Sequence, residues 1–269
     1  MTGDVAAATR AGGPLPGAVT LLVAEGGRTA LRRTVLPLLV AAAVAWTLTA
    51  RMGSGDSSMS AAAFVGGWVL MMVAMMLPAA APVVGVYALA ARRGVVAAVP
   101  VFVAGYFAVW ALSALPAYAV ARAIDDPLAA GRPWVSRLVG GTLLVAATYQ
   151  LSPLKAACLR HCRSPMSFFL GRRASLARPR TAFAAGARHG FYCFGCCWAL
   201  MALLVVVGGM QLGWALALAA AITLEKLGPR GLAASRLVAV GAAGLGVGLL
   251  LRPGLLAHLV VVHMSMSSI

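Results

Sequence analysis

Ala62-Ala-Phe-Val-Gly-Gly67-Trp68-Val-Leu-Met71-Met72-Val-Ala-Met75-Met76-Leu-Pro78-Ala-Ala-Ala-Pro82-Val-Val-Gly-Val-Tyr87-Ala-Leu-Ala90 holds no charged side chain over its whole length. A helix rises about 1.5 Å per residue, so about 20 apolar residues cross a hydrocarbon core of about 30 Å. In lipid the backbone must satisfy its own hydrogen bonds, which a helix does within one segment. Residues 62–90 are therefore expected to form a membrane-crossing helix.

Working outward, six further apolar segments stand at 34–50, 95–121, 135–151, 191–210, 212–224 and 237–251. The expected fold is all-α, a polytopic transmembrane bundle of about seven helices. The count falls to six if the short segment 212–224 is one limb of a re-entrant hairpin after Gly208-Gly209. Pro253 kinks the last helix rather than ending it if the apolar run 255–262 continues the helix. Small residues are frequent, with Gly244 and Gly248 at the spacing that lets membrane helices approach closely.

Composition agrees. Of 269 residues, 62% are hydrophobic and 10% charged, against about 25% charged in a soluble domain. The net charge of +16 would suggest nucleic acid in a soluble protein. Here the basic residues sit in short segments between apolar runs, where they set membrane orientation, so no nucleic-acid partner is expected. The partner that composition demands is the lipid bilayer.

Residues 1–30 are Gly/Ala/Pro-rich and unlike a cleavable signal peptide. We expect a flexible cytoplasmic tail at 1–33, a transmembrane domain at 34–252 and a non-cytoplasmic tail at 253–269. With the N-terminus inside, the inner segments carry Arg10, Arg28, Arg32, Arg33, Arg92 and Arg93. They also carry Lys155, Arg160, Arg163, Arg172, Arg173, Arg178, Arg180, Arg188, Lys226, Arg230 and Arg236. Only Arg51, Arg122, Arg132, Arg137 and Arg252 fall outside. This bias predicts a multi-pass protein of the cytoplasmic membrane, with a basic cytoplasmic loop at 152–188.

The five cysteines are not scattered. Cys158-Leu-Arg-His161-Cys162 follows the fourth segment, and His189-Gly-Phe-Tyr-Cys193-Phe-Gly-Cys196-Cys197-Trp198 opens the fifth. Helical neighbours three or four apart share a face, so Cys158, His161 and Cys162 point together. His189, Cys193, Cys197 and Met201 follow a four-residue step, with Cys196 beside them. Thiolate and thioether donors suit Cu(I), and thiolate also suits Zn²⁺. Two other readings stay open: Cys193-x-x-Cys196 as a redox dithiol, and cysteine as a small packing residue. At the inner face all five thiols would meet a reducing compartment.

Methionine adds a second donor type. Met71 and Met75 stack one turn apart, as do Met72 and Met76, beside the helix-kinking Pro78. Thioether is neutral, inexpensive to bury and coordinates soft ions, although methionine also fills gaps in cores. Met52 and Met59 follow the first segment, and His258, His263, Met264 and Met266 form a His/Met tail. Glu225-Lys226 closes the sixth segment, either as a snorkelling ion pair or as support for a metal ligand.

In order, the Gly67–Pro78 motif, Tyr149-Gln-Leu-Ser-Pro153-Leu-Lys155-Ala-Ala-Cys158-Leu-Arg-His161-Cys162-Arg163-Ser-Pro165, the His189–Met201 motif, Gly208-Gly209-Met210 and Glu225-Lys226 resemble one family. It is that of bacterial predicted metal-binding integral membrane proteins, a domain of unknown function. Some of its members are copper-chaperone-like proteins serving copper oxidases. The resemblance implies a helical membrane fold that binds metal through Cys, His and Met. An outer loop with only Met52 and Met59 is sparse for that family.

The favoured expectation is a non-enzymatic carrier that binds Cu(I) and delivers or moves it for maturation of copper enzymes. Cys158, His161, Cys162, His189, Cys193, Cys196 and Cys197 would accept the ion, and Met71, Met72, Met75, Met76 and Met201 would relay it. The partners would be a copper-enzyme client or a metallochaperone. No phosphate-binding Gly-x4-Gly-Lys-Ser/Thr loop is present, and no residue is assigned a catalytic role. The alternatives are a membrane thiol–disulfide oxidoreductase and a scaffold with a structural zinc site.

Overall fold

A computed structural model describes residues 31–52, 60–91, 95–130, 132–163, 178–207 and 212–254. Among them, a π-helical turn (Leu31–Val35) leads into α1 (Leu36–Met52), followed by α2 (Ala61–Ala91), α3 (Val95–Ala129) and α4 (Pro133–Gln150). Then come α5 (Pro153–Arg163), α6 (Pro179–Val206), α7 (Leu212–Leu227) and α8 (Gly231–Leu251). The all-helical expectation holds. The N-terminal tail as far as residue 30, Met59, Gly208, Gly209, Met210 and the His/Met tail lie outside the described residues.

Five helices are long and apolar enough to cross a membrane: 33–52, α2, 97–128 of α3, α6 and α8. The other two predicted segments are helices too. At 18 and 16 residues, α4 and α7 are roughly 27 and 24 Å long, short of a core of about 30 Å.

Two boundaries differ from the sequence reading. Residues 153–163, expected within a basic loop, form α5, and the segment expected at 191–210 already begins at Pro179. Both starts have local causes. Pro153 and Pro179 open their helices where the first turn needs no N–H donor, and Ser152 Oγ accepts the Lys155 N–H at 3.2 Å as an N-cap.

Side-chain register fixes the helix directions. Trp68 Nε1 donates to the Trp110 carbonyl and to Ser113 Oγ, both at 3.2 Å. Nearer the other end of these two helices, Tyr87 stacks on Phe102, so α2 and α3 are antiparallel. Trp110 meets Phe194 edge-on and Tyr106 stacks on His189, which makes α3 and α6 parallel. Ser136 Oγ reaches the Pro253 carbonyl at 2.8 Å, and Ser235 Oγ reaches the Gln150 carbonyl at 2.9 Å. Helices α4 and α8 are therefore antiparallel. The starts of α3, α6 and α8, the ends of α4 and α7, and the whole of α5 gather at one end of the bundle.

Glycine sets the spacing of the α3–α6 pair, the most extensive helix contact among the described residues. A Cβ at Gly186 would collide with the Phe102 carbonyl, and one at Gly105 with the Phe183 carbonyl. Between α4 and α8 the close approach is Gly140 on Gly246, where a Cβ at Gly246 would lie 2.9 Å from the Gly140 oxygen. Gly244, singled out from its spacing, faces open space instead.

Helix α2 is the buried centre, with Met71, Met72, Met75 and Met76 all inaccessible. The outer helices expose leucine and valine in rows, including Leu36, Val40, Val44 and Leu48 on α1 and Leu237, Val240 and Leu251 on α8. In water such rows would form an adhesive patch. Against acyl chains they lie in their natural solvent.

Candidate metal centre

The cysteines lie where α5 and the end of α7 meet the middle of α6. Helix α5 folds back from α4 and lies on α6, and its face is set by the four-residue step from Cys158 to Cys162. Gly195 makes room for it, since a Cβ there would lie 2.9 Å from Cys158 Sγ. The Tyr149 hydroxyl donates to the Gly195 carbonyl and pins the same spot. One turn on, Cys162 Sγ lies 3.9 Å from Cys196 Sγ, both buried.

Within α6, the Cys196 and Cys197 thiols donate to the Cys193 carbonyl at 3.1 and 2.9 Å. Cys193 Sγ faces α3 and α7, with the Tyr106 hydroxyl at 2.8 Å and Lys226 Nζ at 2.9 Å. Lys226 Nζ is also 3.9 Å from Met76 Sδ. One methionine sulfur therefore joins the thiols through a shared neighbour. Met71, Met72, Met75 and Met201 share the same core cluster.

The two predicted histidines divide differently. His189 is sandwiched beside Tyr106 and Phe102, with ring centroids 5.6 and 6.3 Å apart. His161 is exposed, with Nδ1 2.9 Å from the Ala157 carbonyl and its ring stacked 4.4 Å from that of Tyr192. Cys158 is half-buried over Gly195. The structure thus brings Cys162, Cys193, Cys196 and Cys197 together and leaves His161 at the rim.

Glu225 and Lys226 do not form the local ion pair that their adjacency suggested. Consecutive helical residues do not face each other. Glu225 Oε2 accepts from Lys155 Nζ at 2.6 Å and Oε1 from Gln150 Nε2 at 2.8 Å, all buried. This frees Lys226 to enter the sulfur cluster; the sequence allowed the Glu225-Lys226 pair to support a metal ligand without telling which of the two residues would do so. Arg163 ties α5 to the end of α7, with Nη1 donating to the Glu225 and Lys226 carbonyls at 2.6 and 3.1 Å and Nη2 to that of Gly228 at 2.8 Å.

The thiols on α5 are held protonated above the ordinary range. The hydrogen bond that Cys162 donates to Cys196, then burial, pushes Cys162 well up, and burial raises Cys158. A bound cation must displace such protons.

The donor chemistry fits a soft ion. At a metal–sulfur distance of about 2.3 Å, two ligand sulfurs lie roughly 3.8 Å apart in a tetrahedral site and 4.6 Å in a linear one. The Cys162–Cys196 separation of 3.9 Å is at the tetrahedral value and requires only about 0.7 Å of opening for linear ligation. Among the described residues, no three His, Cys, Asp or Glu side chains are arranged to hold a metal ion. What is preformed is a thiol pair with further sulfur close by.

Comparison with known proteins supplies the family. A family model described as PpoB2, copper chaperone, matches residues 65–249. No curated protein and no solved structure matches. The match covers more than half of the 269 residues and takes in the methionine helix, both cysteine clusters and Lys226. The chain belongs to the copper-chaperone family PpoB2.

Proposed function

We propose that this protein carries Cu(I) as cargo in a bacterial cytoplasmic membrane and hands it on for loading a copper enzyme. The observation that carries the reading is the buried Cys162–Cys196 pair, 3.9 Å apart, formed by two helices that the sequence separates by a basic segment. Thiolate is soft and selects Cu(I) among the common cellular cations. A structural zinc site would want four ligands closed around the ion, which favours the copper reading over the zinc alternative. Cys193 and Cys197 then serve as the next exchange partners, with Cys158 at the rim. Met76 extends the path toward Met72, Met75, Met71 and Met201 in the core.

The orientation follows the positive-inside bias. Lys155, Arg160, Arg163, Lys226, Arg230 and Arg236 belong to α5 or to the adjoining ends of α7 and α8, and Arg178, Arg180 and Arg188 to the N-terminal half of α6 on the same side of the cysteines. That end is assigned to the cytoplasm and the N-terminus to the same side. Copper then enters from a cytosolic carrier or leaves to one, and the methionine helix connects the thiols with the opposite face.

The test is the metal content of the purified protein after anaerobic exposure to Cu(I). Wild type is expected to retain copper, with Cys162→Ser and Cys196→Ser each losing most of it. Wild type without copper, or both variants loading as wild type does, would end the reading.

A second reading rests on the same sulfur pair, since thiols 3.9 Å apart need little motion to form a disulfide. It would make the protein a thiol–disulfide oxidoreductase. Trapping of a Cys162–Cys196 disulfide in cells would favour it, and five reduced thiols under oxidising growth would exclude it.

A further inference from the structure

Resting on the Cu(I) reading, we infer that one face of the Trp68 indole, together with the Met72 thioether, forms a cation site at the end of the methionine path away from the thiols. Phe64, Trp68, Met72 and Met76 follow a four-residue step along α2 and so share one side of the helix. They are 8, 3, 0 and 0% exposed and belong to one core cluster. Met76 marks the thiol end, its Sδ 3.9 Å from Lys226 Nζ. Phe64 is about one turn from Ala61, where α2 begins. Helical side chains lean toward the N-terminus, so Met76 leans over Met72 and Met72 over Trp68.

The indole is held in one orientation. Its Nε1 donates to the Trp110 carbonyl and to Ser113 Oγ, both at 3.2 Å. Phe64 covers the face toward the start of the helix, with the rings 16° from parallel. Their centroids are 6.1 Å apart, close to the helix pitch of about 5.4 Å. The two rings are therefore stacked along the helix, and the other indole face looks one turn on, toward Met72.

Such a face answers a need of the path. An ion passed from thiolate to thioether keeps its whole positive charge, because thioether is neutral, and an uncompensated charge in a core is costly. Among the described residues the carboxylates are Asp125 and Asp126, two turns beyond Tyr118 on α3, and Glu225, which is committed to Lys155 and Gln150. The negative face of an aromatic ring offers the missing stabilisation without a charge of its own, and indole is the best of them. A tryptophan serving as an interface anchor would keep its N–H wet, whereas that of Trp68 is turned into α3. A methionine that only filled space could be leucine, since that exchange conserves volume, and the test uses this difference.

In the experiment Ag(I), a soft and redox-inert monovalent probe, is added to the full chain in detergent beyond the equivalents that protect Cys162 and Cys196 from thiol labelling. Tryptophan emission and affinity for these later equivalents are followed. Wild type is expected to lose part of its emission as the ion meets the indole. Trp68→Phe and Met72→Leu should each lose that step, and the double variant should lose no more than either. Affinity should fall from wild type to Trp68→Phe to Trp68→Leu, by about tenfold or more over the series. An emission step that persists in Trp68→Phe or Met72→Leu, or unchanged affinity in Trp68→Leu, overturns the inference and leaves the Cu(I) reading standing. Protected thiols with no emission step in wild type do the same. Met72→Leu decides alone if the Trp68 variants fail to fold. Wild type whose thiols gain no protection removes both readings.

Discussion

Replacing Glu225 by alanine probes the part of the structure that builds the pocket. Lys155 and Glu225 are each 1% exposed and meet at 2.6 Å. They join α5, which carries Cys162, to α7, which carries Lys226. Removing one partner of such a pair leaves a buried charge without compensation, and the cost is about 3–5 kcal/mol. Gln150 loses its acceptor at the same time. The break is local to the α5–α7 contact, so the expected event is release of α5 rather than unfolding of the bundle. At 1.4 kcal/mol per tenfold, the open population rises roughly a hundredfold or more. Maleimide labelling of Cys162, which is 6% exposed in the closed structure, reads that opening directly. Removing both charges with Lys155→Met and Glu225→Leu should restore slow labelling, since an apolar pair of similar volume replaces a buried ion pair at little cost. Labelling of Glu225→Ala within about threefold of wild type, with the double variant no different, would refute the claim that this pair closes the site.

Three further outcomes follow from the same geometry. Gly186→Ala should destabilise the protein by about 1–3 kcal/mol in thermal unfolding, because its Cβ meets the Phe102 carbonyl; Gly244→Ala, facing open space, should not. Cu(I) affinity should rise about tenfold per pH unit for each proton displaced. Below its raised value Cys162 holds its proton in the free protein, so competition titrations across pH 6–8 should slope upward, and a flat profile would show a thiolate already present. His161→Ala should change copper affinity by less than about threefold, since that ring is exposed on Tyr192 rather than aimed at the pair; a loss of tenfold or more would place it among the ligands.

The helical class was legible because lipid imposes one demand along a whole segment, and 62–90 satisfies it without exception. Helix starts were less so. Residues 179–190 look like a basic loop by charge, yet they continue α6 because Gly186 and Gly190 let it press on α3 near Phe102 and Tyr106. That signal is tertiary and leaves no local periodicity. The same holds for Gly246, whose partner Gly140 lies on a distant segment, whereas Gly244, singled out by its spacing from Gly248, faces open space.

In the candidate site, the gathering of Cys162 with Cys193, Cys196 and Cys197 followed from clustering and four-residue steps. The divergence of Glu225 and Lys226 was readable in principle, since adjacent helical residues point about 100° apart. Which of them would turn to sulfur depended on Lys155 and Gln150, far away in the chain. His161 shared a face with Cys158 on paper, but Tyr192 offers its ring a stacking surface at the rim.

Copper K-edge X-ray absorption on anaerobically loaded wild-type protein tests the central claim most directly. The account predicts Cu(I) with two or three sulfur neighbours, and loss of that sulfur signal in the Cys162→Ser, Cys196→Ser double variant. A copper centre coordinated by nitrogen and oxygen, or a sulfur shell unchanged in the double variant, would contradict it.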